Sequence, residues 1–488
     1  MALTGRNSSS ISVKFIMSQT IENQNQSSLD KAFELAAEAQ KLWKDSEFST
    51  RRSIFLNYHD SLNENQDSLM NTLQAETGKS RNHAFEEITG SLAGIRYVAN
   101  NLKKALRPHR AKPGIPLALR VRVDYPAVGV VGVVTPWNYP LALTMLDVIP
   151  ALAAGNAVVQ KADDKTVKTI VQARDLAEQN GLPKGLWQVV HGDNEVIGNG
   201  LIDRCDYFAF TGSTATGRKV AQRAAARLIG FSMELGGKNP AIVLADADVE
   251  KTAERLLASV IGNSGQLCVA TERAYVPKSE IAQYTETLTK KIEGLKLGSS
   301  NVFDHDLGAL VSAEQTSRVS GFLSRAKDAG ASVIGGEVEN NLIRPSVLVG
   351  ASHDSEIASQ EVFGPVLALI PYESIDHAVE MANDTEYGLN ASVFGNKSEA
   401  QKVARRLLAG TVNINEGYRA SMASLDAPMG GMKQSGVGRR NGIHGIRRFT
   451  EPRTIATNNG FVELPSRGAQ YNKMAPMMGM IAKVMKRL

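Results

Sequence analysis

Apolar residues recur at intervals of three and four along residues 29–106, which is the spacing of helices that each bury one face. Residues 107–124 differ, because three prolines punctuate this basic segment and apolar and charged residues alternate one by one along 119–124. Such alternation is typical of a strand with one buried face. The chain therefore predicts a helical segment and then a strand or hairpin arm, whose alternating apolar residues are Leu119, Val121 and Val123.

Beyond residue 125, short apolar runs alternate with helical patterns. Runs that are apolar at every position indicate strands buried on both faces, as in a parallel sheet. The repeated order of strand and helix predicts a doubly wound α/β fold, and the second half of the chain repeats it. The predicted strands lie at residues 128–134, 157–160, 187–190, 207–210, 241–244 and 273–276.

Composition narrows the class of protein. The 488 residues include 55 Lys and Arg against 50 Asp and Glu, a net charge of +5 that does not suggest a nucleic-acid binder. The 2 cysteines exclude a disulfide framework and fit a reducing compartment, so we expect a cytoplasmic protein. The longest apolar stretch, residues 141–159, contains Asp147 and Pro150, which favours a buried core segment over a membrane span.

The two ends of the chain differ from the rest. Residues 1–28 are rich in Ser, Asn and Gln and predict a disordered or flexible extension, with a transit peptide or a start at Met17 as alternatives. Residues 473–488 place methionines at helical spacing among basic residues, and so predict a basic amphipathic tail. We favour packing of its methionine face on this subunit or a neighbour over contact with a membrane.

Three residues carry candidate chemistry. Cys268 lies close to Gly265, which permits a tight bend, so its own N–H can bind an oxyanion. Glu234 lies between apolar residues and two glycines, which favours a partly buried general base with a raised pKa. Asn138 follows a Val-rich strand, where α/β sheets bind ligands, and its amide can donate to an oxyanion. Taken singly, an inert core cysteine, a surface glutamate and a turn asparagine remain alternatives.

Two segments are similar to phosphate-binding turns. Residues 210–217 form a pattern of strand, glycine-rich turn and helix, so the N–H groups at Gly212 and Ser213 can face a pyrophosphate. Their spacing differs from the generic dinucleotide fingerprint. Residues 78–80 (Gly-Lys-Ser) end like a nucleoside-triphosphate loop, but Leu73 stands where its first glycine belongs. We therefore reject a phosphate-binding loop there.

Eight motifs follow one another in a fixed order along residues 29–456: TPWNYP, ALAAGNAVVQK, FTGSTATG, MELGGKNP, GQLCVATER, QEVFGPV, NDTEYGLNASVF and PMGGMKQSGVGR. As an ordered set they resemble the aldehyde dehydrogenase superfamily, and the whole set is specific although each motif alone is weak. The segments VNINEGYRASMASLDAPMGGMKQSGVGRRNG and ALTMLDVIPAL resemble most of all its succinate-semialdehyde dehydrogenase branch.

The resemblance implies a Rossmann-type cofactor domain interleaved with a catalytic α/β domain, and a small β bridging arm that forms a homodimer or homotetramer. The cofactor domain would comprise residues 29–106 and 125–236, and the catalytic domain residues 237–448. The arm would comprise residues 107–124 and 449–472.

The resemblance also implies an NAD(P)-dependent oxidation of an aldehyde to a carboxylate. Cys268 matches the nucleophile that forms a thiohemiacetal and then a thioester, and Glu234 matches the base that activates water to hydrolyse the thioester. Asn138 and the Cys268 N–H match the oxyanion donors. The residues that match the NAD or NADP site are Trp137, Lys161, Asp164, Gly212, Ser213, Glu361 and Phe363.

Two residues depart from the family pattern. Asp164 is shorter than the usual Glu that reads the ribose; it would repel a 2′-phosphate, while Lys165 beside it would attract one. The choice between NAD and NADP therefore stays open. Arg440 stands where the family usually has Glu.

The preferred substrate is the least defined expectation. Succinic semialdehyde carries a carboxylate that an arginine can bind, and Arg419 and Arg96 are the candidates. An apolar aliphatic or aromatic aldehyde is the alternative substrate, and a cofactor-free thiol esterase is an alternative activity. A silent binding protein is disfavoured because both Cys268 and Glu234 are present, and the same Glu234 disfavours acyl transfer to coenzyme A.

Overall fold

The computed structural model describes residues 24–114, 118–460 and 465–486. Most of the predicted N-terminal extension, residues 115–117 and 461–464 of the predicted arm, and the last two residues of the tail lie outside the described residues. The first helix begins at Gln26, inside the segment predicted as an extension. Asn25 explains this start, because its side-chain oxygen accepts a hydrogen bond from the Ser28 N–H at 3.1 Å and caps the helix.

The helices of the described residues follow the predicted periodicity, and four of them precede the predicted arm. They are α1 (Gln26–Trp43), α2 (Phe48–Glu64), α3 (Gln66–Thr77), α4 (Arg81–Leu106), α5 (Pro140–Ala153), α6 (Val167–Gln179), α7 (Asn199–Ile202), α8 (Thr214–Ala226), α9 (Val249–Ile261), α10 (Ile281–Glu293), α11 (Ala313–Asp328), α12 (Glu356–Ser359), α13 (Ile375–Asn383), α14 (Lys397–Ala404), α15 (Arg419–Met422), α16 (Gly442–Arg447) and α17 (Gly468–Met485).

The strands of the described residues form two large sheets and two small ones. They are β1 (His109–Ala111), β2 (Leu119–Asp124), β3 (Val130–Val134), β4 (Ala157–Lys161), β5 (Trp187–Val190), β6 (Tyr207–Thr211), β7 (Gly230–Glu234), β8 (Asn239–Val243), β9 (Thr271–Pro277), β10 (Ser332–Gly335), β11 (Val338–Glu339), β12 (Leu342–Ile343), β13 (Ser346–Val349), β14 (Val366–Tyr372), β15 (Asn390–Phe394), β16 (Thr411–Ile414), β17 (Gly436–Val437) and β18 (Arg453–Asn458).

The first large sheet has the strand order β17-β7-β6-β3-β4-β5. Its neighbouring strands are parallel except for β17, which pairs antiparallel with β7. Every residue of β4 and β6 is buried, as the continuous apolar runs predict. Helix α5 packs against β3 and β4, so the apolar stretch around Asp147 is a core helix.

The second large sheet has the order β10-β13-β14-β9-β8-β15-β16, with only β10 antiparallel to its neighbour. Successive residues of β8 belong to different hydrophobic clusters: Ile242 lies in one, and Ala241 and Val243 lie in another. Apolar layers therefore cover both faces of this sheet, as the alternation of strands and helices predicts.

The arm sheet combines two distant parts of the chain, in the order β1-β2-β18. Strand β2 alternates between half-buried and exposed residues along Leu119–Arg122, as predicted, and β18 pairs antiparallel with it. Helix α17 begins at Gly468, five residues before the predicted tail, and its described side chains are almost all exposed. Among the described residues, no helix is both long and apolar enough to cross a membrane.

One predicted boundary differs from the structure. The prediction assigns residues 237–448 to one domain, but β17 joins the first sheet rather than the second. Gly436 pairs with Glu234, and a Cβ at Gly436 would lie 2.2 Å from the Met233 carbonyl oxygen. A glycine with φ of +152° is thus required for this close approach, and a long-range pairing of this kind is invisible to local periodicity.

Candidate active site

Four neighbouring strands of the first sheet end at one edge. Strand β7 ends at Glu234 and β6 at Thr211, and these two residues are paired in register. Strand β3 ends at Val134, which is paired with Lys161 at the end of β4. The carboxyl ends of parallel strands are where α/β sheets bind ligands. The structure therefore brings together the predicted base Glu234, the glycine-rich turn and the predicted cofactor residue Lys161 at one sheet edge.

Cys268 lies in the loop between α9 and β9. Gly265 in this loop has φ of +72°, and a Cβ there would lie 2.1 Å from the Gly364 carbonyl carbon. The Cys268 carbonyl oxygen accepts a hydrogen bond from Asn239 Nδ2 at 2.7 Å, which fixes the backbone next to the sulfur. The backbone N–H of Cys268 lowers the pKa of its own thiol, although burial outweighs this effect.

Asn138 connects the first sheet to this loop. Its side-chain Nδ2 donates to the Gln266 carbonyl oxygen at 3.0 Å, two residues before Cys268. The second N–H of the same amide has no acceptor among the described residues, and its Oδ1 is buried without a hydrogen bond. The structure therefore places a free amide donor beside the Cys268 loop, where an oxyanion donor is predicted.

Glu234 is 5% exposed, and its pKa is raised to about 7. Burial is the main cause, and the charges of Arg440 and Arg448 oppose it. The charge of Glu234 in turn helps burial to raise the pKa of the Cys268 thiol to about 12, which places the two groups in one electrostatic environment. A buried carboxyl group with a pKa near 7 is suited to general-base catalysis near neutral pH.

A buried ion cluster lies behind Glu234. Arg440 donates to both oxygens of Asp147, from Nε at 2.9 Å and from Nη2 at 2.5 Å, and Nη2 also donates to Thr211 Oγ1 at 2.5 Å. Arg448 donates to the same carboxylate. Arg440 is a departure from the family pattern, but no motif in the sequence predicts that it pairs with Asp147. The sequence feature that could have indicated this cluster is Asp147, a charged residue inside an otherwise apolar helix.

Glu361 and Phe363 approach from the second sheet. Glu361 Oε1 accepts a hydrogen bond from the Gly237 N–H at 3.0 Å, close after Glu234. Burial and the neighbouring Glu272 raise the pKa of Glu361 to about 7. The Phe363 ring lies edge to face with the Trp137 ring, at 5.6 Å between centroids. These predicted cofactor residues therefore lie between Glu234 and the segment that carries Asn138.

The donors at the sheet edge fit a dinucleotide. Lys161 is almost buried, yet its ammonium forms no hydrogen bond or ion pair with a residue that the structure describes, so three N–H donors remain for ligand hydroxyl groups. Ser213 caps α8 and accepts from the Thr216 N–H at 3.3 Å, so Gly212 and Ser213 lie at a helix N-terminus, which attracts anions. Asp164 lies near Lys161, and its Oδ1 accepts from the Gly192 N–H at 2.8 Å.

The two candidate substrate arginines differ in their surroundings. Arg419 follows Tyr418, which belongs to the same apolar cluster as Cys268, and its guanidinium lies 5.9 Å from the Tyr418 ring centroid. Arg419 Nη2 also donates to Glu86 Oε1 at 3.0 Å. Arg96 is exposed on α4 and forms no ion pair with a residue in the described part of the chain. Of the two, Arg419 is therefore the arginine that lies next to a member of the Cys268 cluster.

Comparison with known proteins identifies the family of this chain. The model of the aldehyde dehydrogenase family matches residues 16–455. The chain belongs to this family. It is 42% identical over 463 residues to a Mycolicibacterium smegmatis protein named "putative succinate-semialdehyde dehydrogenase (NADP+)", with 93% of this chain and 90% of the relative covered. A Mycobacterium tuberculosis protein named "putative succinate-semialdehyde dehydrogenase (NADP+) 2" is 43% identical over 439 residues, which cover 89% of this chain and 85% of the relative.

Solved structures agree with the predicted fold. Betaine aldehyde dehydrogenase from Staphylococcus aureus in complex with NAD+ superposes with a TM-score of 0.86 at 29% identity, covering 91% of each chain. An E. coli NADP dependent enzyme superposes with a TM-score of 0.85 at 30% identity, covering 89% of this chain and 91% of the other. The predicted α/β fold and the predicted class of enzyme, an NAD(P)-dependent aldehyde dehydrogenase, are therefore confirmed.

Proposed function

We propose that this aldehyde dehydrogenase oxidises succinic semialdehyde to succinate, with Cys268 as the nucleophile, Glu234 as the general base, and Asn138 and the Cys268 N–H as the oxyanion donors. The observation that supports the chemistry is the coupling of a thiol and a buried carboxyl group beside a free amide donor. The observation that supports the substrate is Arg419 beside the apolar cluster that contains Cys268.

Cys268 needs a base before it can attack. With a pKa of about 12, the thiol is protonated at neutral pH, and a thiol is a far weaker nucleophile than a thiolate. Glu234, with a pKa of about 7, is partly ionised there and can accept the thiol proton. The sulfur then bonds to the aldehyde carbon, and the resulting oxyanion meets the N–H donors of Asn138 and Cys268.

Lys161 would bind a ribose, Ser213 at the α8 N-terminus the pyrophosphate, and Glu361 the second ribose. A nicotinamide held there would supply the hydride acceptor for the thiohemiacetal carbon, and Cys268 would then hold the acyl group as a thioester. Glu234 releases the thiol proton to solvent and then removes a proton from water, whose oxygen attacks the thioester carbonyl. The carbon–sulfur bond breaks, succinate leaves after its acid proton is lost to solvent, and the Cys268 sulfur takes a proton from Glu234.

We propose NADP as the preferred cofactor. The two mycobacterial relatives are named for NADP+, and the local charges permit a 2′-phosphate. One oxygen of Asp164 is occupied by the Gly192 N–H, and Lys161 and Lys165 lie on either side of Asp164 in the sequence. Burial lowers the pKa of His191, the other residue beside Asp164, so His191 is neutral at pH 7 and adds no cation.

We propose that the protein works in the cytoplasm as a homodimer or homotetramer. Strand β18 supports the assembly, since it is the edge of the arm sheet and all six of its residues are exposed. An exposed edge strand offers unpaired backbone groups to another chain. Sedimentation equilibrium measures the subunit count, and a monomer at micromolar concentration would contradict the proposal.

A kinetic panel tests the substrate. Succinic semialdehyde, butanal and benzaldehyde are compared with NADP and with NAD, in the wild type, Arg419→Met and the matched control Arg96→Met. We expect Arg419→Met to raise KM for succinic semialdehyde about tenfold or more, because a charge-assisted hydrogen bond to the carboxylate is lost. KM for butanal should not change.

Two results would contradict the substrate proposal. The first is an equal kcat/KM for butanal and succinic semialdehyde in the wild type. The second is a loss confined to Arg96→Met, which would move the carboxylate site to α4. Cys268→Ser tests the chemistry itself, since dehydrogenase activity that survives in this variant would exclude Cys268 as the nucleophile.

A further inference from the structure

A buried ion pair holds the backbone of Asn138. Lys79, in the Gly-Lys-Ser segment rejected as a phosphate-binding loop, is 1% exposed and pairs with the fully buried carboxylate of Glu87 on α4. Its Nζ also donates to the Asn138 carbonyl oxygen at 3.0 Å. The same ammonium lies 4.7 Å from the centroid of the Tyr139 ring. Lys79 therefore contacts the candidate oxyanion donor through the main chain and the next residue through its ring.

The partner carboxylate holds the helix that follows. Glu87 Oε1 accepts hydrogen bonds from the N–H groups of Leu141 at 2.7 Å and Ala142 at 3.2 Å, in the first turn of α5. The N-cap residue Tyr139 offers no side-chain cap, so Glu87 satisfies N–H groups that the helix start leaves open. One oxygen of Glu87 thus caps α5 while the other binds Lys79.

Asn138 is also held from its second side. Asn263 Nδ2 donates to the same Asn138 carbonyl oxygen at 2.9 Å. The Asn138 side chain donates to the Gln266 carbonyl oxygen, and Gln266 Nε2 donates to the Asn263 carbonyl oxygen at 3.1 Å. The backbone of Asn138 is therefore clamped between Lys79 from the first sheet's side and the loop that carries Cys268.

We propose that Lys79 and Glu87 are positioning residues that align the Asn138 amide with the oxyanion formed at Cys268. This inference rests on the proposed function of Asn138. Desolvation makes a fully buried ion pair a weak source of net stability, so stability alone explains its presence poorly. Alignment explains it better, because a displacement of about 1 Å in a catalytic donor can cost about 10²-fold in rate.

A double-mutant cycle separates positioning from a structural role. Lys79→Met/Glu87→Gln removes both charges together and leaves a side-chain oxygen at position 87 to cap α5. In the wild-type background we expect kcat for succinic semialdehyde to fall about tenfold or more, with the affinity for NADP unchanged. In the Asn138→Ala background the same change should alter kcat by no more than about twofold, because the residue through which it acts is gone.

The control is Arg51→Met. The guanidinium of Arg51 is also buried and also donates hydrogen bonds to carbonyl oxygens, including that of Ala153 at 3.0 Å. It lies, however, at the opposite end of α5 from Asn138. Its effect on kcat should be the same in both backgrounds. Lys79→Arg, which keeps a donor for the Asn138 carbonyl oxygen, should recover part of the rate.

Each failure has its own signature. An equal loss of kcat from Lys79→Met/Glu87→Gln in both backgrounds, or no loss in the wild-type background, would overturn the positioning role. An unchanged kcat in Asn138→Ala alone would instead overturn the proposed oxyanion role on which the inference rests. If the paired variant does not fold, Glu87→Gln alone is carried through the same cycle and judged by the same outcomes.

Discussion

Asp147→Asn tests the ion cluster behind the candidate site. The fully buried carboxylate of Asp147 accepts three side-chain hydrogen bonds, two from Arg440 and one from Arg448. Asn has the same shape but no charge, and its NH₂ group would face guanidinium N–H donors. The substitution therefore leaves two nearly buried cations without their anion.

The expected loss of stability is about 3–5 kcal/mol, the usual cost of removing one partner of a buried ion pair. Summing three charge-assisted hydrogen bonds at about 1.5–3 kcal/mol each would give more. That sum overstates the loss, because Thr211 Oγ1 and the Leu146 carbonyl oxygen still accept from the two arginines. Even the smaller figure is a large share of a typical free energy of unfolding, about 5–15 kcal/mol.

The pH dependence of this loss follows from the pKa of Asp147. Burial alone would raise that pKa, but the charges and hydrogen bonds of Arg440 and Arg448 outweigh it, so the folded-state pKa lies below its ordinary value. The stabilisation is therefore complete above the unfolded-state pKa of about 4 and is lost as the pH falls through the folded-state pKa. The difference between wild type and variant should be constant near neutral pH and shrink only in acid.

The same substitution should change catalysis. The charge of Asp147 raises the pKa of Glu234, whereas that of Arg440 lowers it. Without Asp147, the arginine charges act unopposed, and the acid limb of kcat, expected near pH 7 in the wild type, should move to lower pH. Arg440→Met should move it to higher pH, since the variant loses the cation that opposes burial.

Urea denaturation between pH 5 and 8 and a pH profile of kcat measure the two effects. The control is Asp124→Asn, which removes a carboxylate paired with Arg453 at 2.7 Å on the exposed arm, where solvent screens the charges and little stability is at stake. A stability loss in Asp147→Asn no larger than in this control would refute the reasoning about the buried cluster. An acid limb that stays in place would refute its coupling to Glu234.

Three further predictions concern the reacting groups and the cofactor. Asn138→Ala should lower kcat about 10²–10³-fold through the loss of one oxyanion donor, with NADP binding measured by fluorescence unchanged, and a loss of about twofold would contradict it. Glu234→Gln should lower kcat at least about 10²-fold without accumulation of a thioester, because the variant lacks the base for both the Cys268 thiol and water; a thioester on Cys268 that mass spectrometry detects during turnover would exclude the role of Glu234 in thiol activation. Asp164→Asn should raise the ratio of kcat/KM for NADP over NAD about tenfold, since one repulsive charge is removed; an unchanged ratio in steady-state kinetics would mean that Asp164 does not face the 2′-position.

Much of the fold, and the placement of candidate site residues at the ends of strands, follow from local sequence. Continuous apolar runs such as 157–160 are strands because only a sheet covered on both faces buries them. Glu234 and Lys161 lie at one edge because parallel strands share the direction of their carboxyl ends. Local pattern also identified the bend at Gly265, where no side chain fits.

The residues that sequence reasoning missed are those whose partners are distant in the chain. Asp147 and Arg440 are 293 positions apart, and the pairing of β17 with β7 joins segments about 200 positions apart. Neither periodicity nor motif spacing reports such a pair. The rejected Gly-Lys-Ser segment shows a second limit, since the absence of a phosphate loop does not reveal that Lys79 binds the Asn138 carbonyl oxygen.

Other long-range contacts connect parts of the site that arise from different sheets. The side chain of Asn138, which follows β3 of the first sheet, donates to the Gln266 carbonyl oxygen in the Cys268 loop. The N–H of Gly237, which follows β7 of the first sheet, donates to Glu361, which precedes β14 of the second sheet. Each motif supplies one reacting group, but hydrogen bonds between the two sheets, such as these, set the distance between the reacting groups. Rate depends on that distance far more steeply than stability does. Substitutions that remove these hydrogen bonds should therefore lower kcat before they unfold the protein, whereas substitutions in either sheet should do the reverse.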